Sequence, residues 1–457
     1  MRDEVIGRRD FMKKAGVAAG GLIGFPYVIA CRAAGRGVRP AASERITMGI
    51  IGVGGMGTNN MRGFLGRDDV QVVAVCDVVE AIDEYGHWYK KGWQGPWFGR
   101  ESARKIVDDH YAQKGRSGGY KGCAAYNDFR ELLGREDIDA VCIATPDHWH
   151  AVQVVTAAAA GKDIYCEKPL SLTVGEGRAM AEAVRRYGVV FQTGTQRRSS
   201  RQYRHICELI RNGRIGRLRR IVTTIGANNK EGPGRDWKAM VVPEWLDYDM
   251  WLGPAPWAPY HKDRCLYTFR FGLDYSGGQT TNLGAHMIDI AQWANGTDDT
   301  GPVEVEDLGG EFPRDGLFNT ATNVNFRATY ANGVQLQCKT QQGGPVRFEG
   351  TEGWIEVRDN ELKCSPESLR NSVIGPEEIR LYESNDHHGN FIDCVKTRSR
   401  TAAPAEVGHR SVTICHLGNI AMILKRKLRW DPGRERFVGD DEANRMLSRG
   451  MRSPWRL

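Results

Sequence analysis

"RITMGIIGVGGMGTNNMRGF", Arg45 to Phe64, decides the fold. The apolar run Ile46 to Ile51 has the length and composition of a strand buried on both faces. It runs without a linker into Gly52-Val53-Gly54-Gly55-Met56-Gly57 and then into helix-compatible residues. Gly52, Gly54 and Gly57 have GxGxxG spacing. The first glycine of such a turn permits a tight bend, and the second lets the backbone approach an anion. The third lets the helix pack against the strand, and the helix start presents unpaired N–H groups. A second strand, "VQVVAVCDVV", ends in Asp77, about twenty residues beyond Gly57. This succession predicts a doubly wound parallel sheet, with Gly52, Gly54, Gly55, Met56 and Gly57 around a pyrophosphate.

A carboxylate at position 77 suits ribose hydroxyls and repels a 2′-phosphate, and no arginine follows it directly, so NAD is expected rather than NADP. A glycine turn without a ligand is the alternative. Further on, "IDAVCIATPDHWH" reads as a buried strand running into Thr145-Pro146. "KDIYCEKPLSLTVGEGRAMAEAVRRYG" gives a short strand, Glu167-Lys168-Pro169 and an amphipathic helix. Between Asp77 and the third strand, the Trp- and Gly-rich "YGHWYKKGWQGPWFGR" is too irregular for core and reads as a surface flap or subunit contact. From about Thr193 the pattern changes to alternating runs, "RRIVTTIGA", "ATNVNFRATYANGVQLQCKT" and "GWIEVRD", which predict antiparallel strands apolar on one face. The expected layout is a leader over 1–31, a linker over 32–44, a nucleotide-binding α/β domain over 45–192 and an α+β domain over 193–457.

The leader, "RRDFMKKAGVAAGGLIGFPYVIAC", joins paired arginines to an apolar run shorter than the roughly 20 residues of a membrane span. It reads as a twin-arginine signal, with Gly7 where a hydroxyl residue usually stands. Val28 to Cys31 also fits a lipobox, which would place a lipid on Cys31. The expected location is the periplasm, reached through the twin-arginine export machinery. The net charge of +7 is modest and scattered, and no aromatic-interleaved basic patch is present, so nucleic acid is not an expected partner. The 11 cysteines form no CxxC pair; Cys76, Cys142 and Cys166 sit in strand-like runs as small core residues.

Taken together, strand–GxGxxG–helix, Asp77, "ATPxxxH", "EKP", the later "GGxxxNxGxH" and "HHGNFIDCVKTRSRTAAPAEVGHRSVTICHLGNIA" resemble the glucose–fructose oxidoreductase / inositol dehydrogenase / MocA (Gfo/Idh/MocA) family, in an exported branch. The resemblance implies a Rossmann domain followed by an open, mainly antiparallel sheet that covers the nicotinamide end and mediates dimers or tetramers. It implies a helix near 408–427 packing back on the Rossmann domain. Thr145, Pro146, His150, Glu167, Lys168 and Gln196 are then expected at the cofactor.

The family places its chemistry on the lysine of "EKP" and on a carboxylate-x-x-x-His pair. Lys168 matches the first. Beside a cationic ring its ammonium would lose basicity and exchange a proton near neutrality; a solvated lysine is the plainer reading. His286 matches the second and could take a proton from a sugar hydroxyl as hydride leaves its carbon. The plainer reading is a hydrogen-bonded core histidine. Position 282 departs from the pattern, because Asn282 stands where the family has Asp, so it is expected to position a substrate hydroxyl rather than relay a proton. Asp289 could orient the His286 ring or cap a helix. Trp237, Trp245, Trp251, Trp257, Tyr260, Tyr267 and Tyr275 read mostly as packing, with Tyr275 kept as a substrate contact. Arg197 and Arg270 could reach a polyol or an acidic sugar. His387, His388, His409 and His416 match no common metal spacing, so structural roles and no metal are expected.

An exported nicotinamide enzyme has no free pool to draw on, so the nucleotide is expected to be loaded before export and held tightly. Two activities fit: an oxidoreductase acting on a sugar or polyol CH–OH group, or a glycosidase or lyase that oxidises transiently, eliminates and returns the hydride. The retained "EKP" favours the first. A sugar-binding protein with a vestigial cofactor fits less well, since Lys168 and His286 are both present.

Overall fold

The computed structural model describes residues 44–82, 98–114, 122–226, 232–341, 344–358 and 361–457. The leader, residues 32–43 of the linker, and residues 83–97, which include most of the Trp-rich insert, lie outside the described residues. The compact body spans Ile46–Leu457.

Its first half alternates strands and helices. They are β1 (Ile46–Ile51), α1 (Gly55–Leu65), β2 (Val70–Cys76), α2 (Arg100–Lys114), β3 (Ala124–Tyr126), α3 (Phe129–Leu133), β4 (Ala140–Ile143), α4 (Asp147–Ala159), β5 (Asp163–Cys166), α5 (Val174–Tyr187) and β6 (Phe191–Thr193). The sheet order is β3-β2-β1-β4-β5-β6, and every pairing is parallel. The order reverses beside β1, which puts the ligand crevice at the carboxyl ends of β1 and β4. Met48, Ile50, Val141, Cys142 and Ile164 are fully buried, as strands covered by helices on both faces require.

The second half contains α6 (Arg201–Arg211), β7 (Leu218–Ile225), α7 (Tyr248–Leu252), α8 (Gln279–Asn282), α9 (Gly284–Asn295) and β8 (Glu304–Asp307). Then follow β9 (Asn325–Thr329), β10 (Gln335–Thr340), β11 (Val346–Gly350), β12 (Trp354–Arg358), β13 (Glu361–Ser365), α10 (His387–Thr397), α11 (Ala405–Leu424), β14 (Leu428–Asp431), β15 (Arg436–Phe437) and α12 (Asp441–Arg445). The sheet order is β13-β12-β11-β7-β10-β9-β8-β14-β15. Its pairings are antiparallel except one: β7 and β10 run parallel at its centre. The alternation in "RRIVTTIGA" gives a face but not a direction, so the parallel pair was not legible from it. Phe326, Ala328, Leu336, Cys338, Phe348, Ile355 and Val357 line the buried face. The other face carries polar pairs such as Arg327 with Glu306.

Helix α11 lies between the two sheets. It packs on α5 and β6 of the first half and on α9, β8 and β9 of the second. Its residues are buried on nearly all sides, which suits an apolar helix with no polar stripe. The ten described cysteines are free thiols, nine of them buried.

Candidate active site

The glycine turn is built from backbone. Gly52 has φ +83°, and a Cβ there would lie 2.7 Å from the Ala144 carbonyl carbon; a Cβ on Gly57 would lie 1.8 Å from the Gly52 oxygen. Both positions therefore admit only glycine. The N-cap of α1 is Gly54, with no side-chain cap, so the first N–H groups of α1 face the crevice without a protein side chain on them. That donor set suits a pyrophosphate.

Asp77 stands at the end of β2. Its carboxylate accepts from the Val53 N–H (2.7 Å) and the Val79 N–H (2.9 Å), bracing the glycine turn and leaving lone pairs for ribose hydroxyls. Burial pushes its pKa up, and those backbone N–H groups and Arg100 oppose the rise. Arg100 joins them: its Nη1 donates to the Asp77 carbonyl (3.3 Å). Arg100 ends the Trp-rich insert, well beyond Asp77, so the residues just after Asp77 give no sign of it. Thr145, Pro146, Gly52, Gly54 and Asp77 line one pocket.

The roof of that pocket comes from the second half. Met250, Trp251 and Leu266 line it alongside Phe98 and Trp149. The Glu80 N–H donates to the Trp245 carbonyl (2.8 Å), the Asp247 N–H to the Val78 carbonyl (3.0 Å), and the Trp149 indole to the Trp251 carbonyl (3.1 Å). Asn127 donates to Asp247 (2.7 Å). Trp245, Trp251, Tyr260 and Tyr275 thus belong to a cluster seated on Val78 and Val79. Trp257 is 70% exposed and stands apart.

The chemistry-bearing groups meet where the two halves join. Lys168 Nζ donates to Asn282 Oδ1 (3.0 Å) and to the Asn282 carbonyl (3.1 Å). Asn282 Nδ2 donates to Gln279 (2.9 Å), so both side-chain atoms of Asn282 are engaged by protein, one of them in holding the lysine. Burial lowers the Lys168 pKa to about 8; Arg270 and Arg197 also lower it, while Glu167 and Asp147 oppose. His286 lies one turn further along, on α9. Burial, then Lys168 and Arg197, hold its pKa well below the usual imidazole value, and its Nδ1 is buried without a hydrogen-bond partner. A neutral imidazole and an ammonium of reduced basicity therefore share one wall.

Glu167 organises the floor. Its carboxylate accepts from Asn60 (3.0 Å), Gln196 (3.0 Å) and the Lys168 N–H (3.1 Å), linking α1 of the glycine turn to the lysine. His150 lies 2.8 Å from the Pro169 carbonyl and 2.9 Å from that of Thr145, tying the two motif loops together. Asp147 is 5% exposed with Oδ2 unpartnered, and burial raises its pKa against the pull of His150, Ser276, Arg270 and Lys168. It sits inside "ATPDHWH", where no spacing in the sequence marks it.

The remaining expected residues divide. Arg197 reaches the Met287 sulfur (3.2 Å), beside His286. Arg270 acts on Lys168 and Asp147 electrostatically and lies over the rings of Tyr267 and Phe269. Tyr275 is 1% exposed, packed on Trp251 and His148, with Arg264 donating to its hydroxyl (3.3 Å); that is a core position, and its burial leaves no face open. Asp289 is turned away from His286 and held by Arg198 (2.8 Å) and Ser411 (2.8 Å). His387 bonds to Ser199 and the Thr193 carbonyl, His388 to Asn60, His409 to Glu435 and His416 to the Ser171 carbonyl. Among the described residues no three His, Cys, Asp or Glu side chains gather as a metal site would need.

A parallel nucleotide-binding sheet coupled to a mixed sheet, with the lysine and the histidine at the join, defines a class of NAD-binding oxidoreductases. Residues 202–457 match the oxidoreductase family's C-terminal alpha/beta domain and residues 97–195 its NAD-binding Rossmann fold, the glycine turn lying upstream of the second match. The chain belongs to the Gfo/Idh/MocA oxidoreductase family. It is 30% identical over 186 residues to a glycosyl hydrolase family 109 protein of Shewanella baltica, covering 37% of this chain and 35% of that one. It is 29% identical over 199 residues to an inositol 2-dehydrogenase of Salmonella paratyphi B, covering 43% of this chain and 47% of that one. The matched stretches span less than half the length of these two relatives. In fold it is similar to the WlbA dehydrogenase of Bordetella pertussis, determined with NADH and UDP-GlcNAcA (TM-score 0.59, 16% identity, 85% of this chain and 99% of that one).

Proposed function

We propose that this protein oxidises a CH–OH group of a sugar or polyol and keeps its nicotinamide nucleotide bound between turnovers. The observation that carries the reading is Lys168: a half-buried ammonium with a pKa near 8, fixed by Asn282 beside a neutral His286. The bound nucleotide would supply the hydride acceptor. The chain's own residues would do the rest. Lys168 Nζ would hold the reacting oxygen and relay its one proton near neutrality, and the uncharged His286 would take up that proton as the hydride leaves the carbon. Asn282 sets the lysine's direction, and Glu167 fixes its backbone.

Asp77 supports NAD over NADP, and the roof of Met250, Trp251 and Leu266 supports tight retention. Retention fits the leader: export as a folded, nucleotide-loaded protein through the twin-arginine machinery to the periplasm, with a lipid on Cys31 as one form of the mature terminus. Free buried thiols agree with folding in a reducing compartment before export. Assembly into dimers or tetramers is part of the same reading.

A second reading is redox-neutral cleavage of a glycoside, supported by similarity to a glycosyl hydrolase family 109 protein. The intact Glu167-Lys168-Pro169 places net oxidation first. Denaturing the purified protein and identifying the released nucleotide tests the cofactor. A sugar panel read at the nicotinamide absorbance, beside nitrophenyl glycosides, separates the activities: a lasting absorbance rise supports oxidation, and nitrophenol release without one supports cleavage. Release of no pyridine nucleotide, together with no uptake of one, overturns both.

A further inference from the structure

We propose that the substrate carries a carboxylate, as a sugar acid or a glycoside of one, bound by the guanidinium groups of Arg197 and Arg270. The inference rests on the sugar-site reading above and narrows its substrate class.

Arg197 and Arg198 are neighbours in the short 3-10 turn Gln196–Ser199, and they differ in how their charge is met. Arg198, 2% exposed, has two carboxylates, Asp289 at 2.8 Å and Asp298 at 2.8 Å. Arg197, half-buried, makes no ion pair among the described residues. Its Nη1 meets the Tyr203 hydroxyl and the Met287 sulfur, and its guanidinium lies 5.1 Å from the Tyr203 ring centroid. Arg270 is alike: Nη1 donates to the Tyr267 carbonyl (2.8 Å), and the group lies over the Tyr267 and Phe269 rings. A guanidinium has five N–H donors, so several on each remain for a ligand.

Both arginines border the reacting groups. Gln196, next to Arg197, is bonded to Glu167, and Met287 is next to His286. Arg270 lies in the turn Leu266–Phe271, which packs against α8, the helix carrying Asn282. With Lys168, three cations converge on a wall whose acids are Glu167, already taken by three donors, and the buried Asp147. Like charges crowded in a dry site disfavour one another. A carboxylate ligand would neutralise the crowd through charge-assisted hydrogen bonds; a neutral sugar would desolvate the arginines without replacing their water. A phosphate shares the anionic chemistry but carries a second charge that a carboxylate lacks.

The test uses the purified protein with its own nucleotide and two matched pairs of methyl glycosides, glucuronide against glucoside and galacturonide against galactoside, with glucoside 6-phosphate as the other anion. Calorimetric binding and single-turnover nicotinamide absorbance are both read. In at least one pair the acid binds about 10- to 100-fold more tightly, the range of hydrogen bonds to charged groups. Arg197→Met and Arg270→Met each collapse that ratio, while Arg197→Lys and Arg270→Lys, which keep the charge, leave it intermediate. Equal binding within both pairs, no binding of either acid, or tighter binding of the phosphate overturns the inference. Acid binding that depends on the arginines but yields neither absorbance nor cleavage keeps the carboxylate site and sinks the catalytic reading. An absorbance rise with neutral sugars alone does the reverse.

Discussion

The nucleotide crevice and the reaction wall are built in opposite ways. The crevice is backbone: Gly52 and Gly57 leave space, α1 offers N–H groups, and Asp77 is the chief side chain, itself pinned by two backbone donors. The wall is side chains drawn from distant positions, Lys168 from the first half and Asn282, His286 and Arg270 from the second, with Arg197 between them. A backbone site tolerates change in most side chains around it. A side-chain site depends on each member and on the charges of its neighbours.

Five changes test that contrast, in falling order of effect. Lys168→Met should slow single-turnover nicotinamide reduction by as much as about 10⁴-fold, with nucleotide still co-purifying. Loss of the nucleotide as well would mean the two sites are one. Asp289→Ala strips a carboxylate from the buried Arg198 and should cost about 3–5 kcal/mol in denaturant unfolding; a cost below about 1 kcal/mol would show that Asp298 alone suffices. Asp77→Ser should shift the NAD/NADP binding ratio toward NADP by about 10- to 100-fold, helped by the nearby Arg100, as measured on protein stripped and reloaded. An unchanged ratio removes Asp77 from ribose recognition.

The smallest effect concerns pH. Hydride transfer should inflect near pH 8 as Lys168 loses its proton. Arg270 lowers that pKa, so Arg270→Met should move the inflection upward; Asp147 raises it, so Asp147→Asn should move it downward. His286, neutral because its pKa lies well below 6.5, should add no limb between pH 7 and 9. Shifts in the opposite directions would assign the inflection to another group.

What the sequence discloses follows the same division. The strand, glycine turn and helix are contiguous, and their spacing is the geometry, so the parallel sheet could be read directly. "EKP" and "GGxxxNxGxH" marked Lys168 and His286 because each lies in a short motif. The fold alone shows that Asn282 holds Lys168, since a hydrogen bond across 114 positions leaves no local trace. Arg100 was hidden by the insert, Asp147 by its motif, and the roof over the nucleotide pocket by aromatic residues that look like ordinary packing. Tyr275 shows the converse error: an aromatic close to the motif in sequence, but sealed in the core.

Helix α11 has a mechanical consequence. On one side Gly408 lets it close on Thr193 at the end of β6; on another Gly418 lets it close on Phe326 in β9. Swinging the two sheets apart would strip both contacts and wet its apolar flanks, at about 1.5–3 kcal/mol for each large side chain exposed. The helix is a keel that resists a jaw-like opening of the two sheets. On the sugar reading proposed above, two halves held at one spacing would favour small sugars and chain ends over the middle of a polysaccharide.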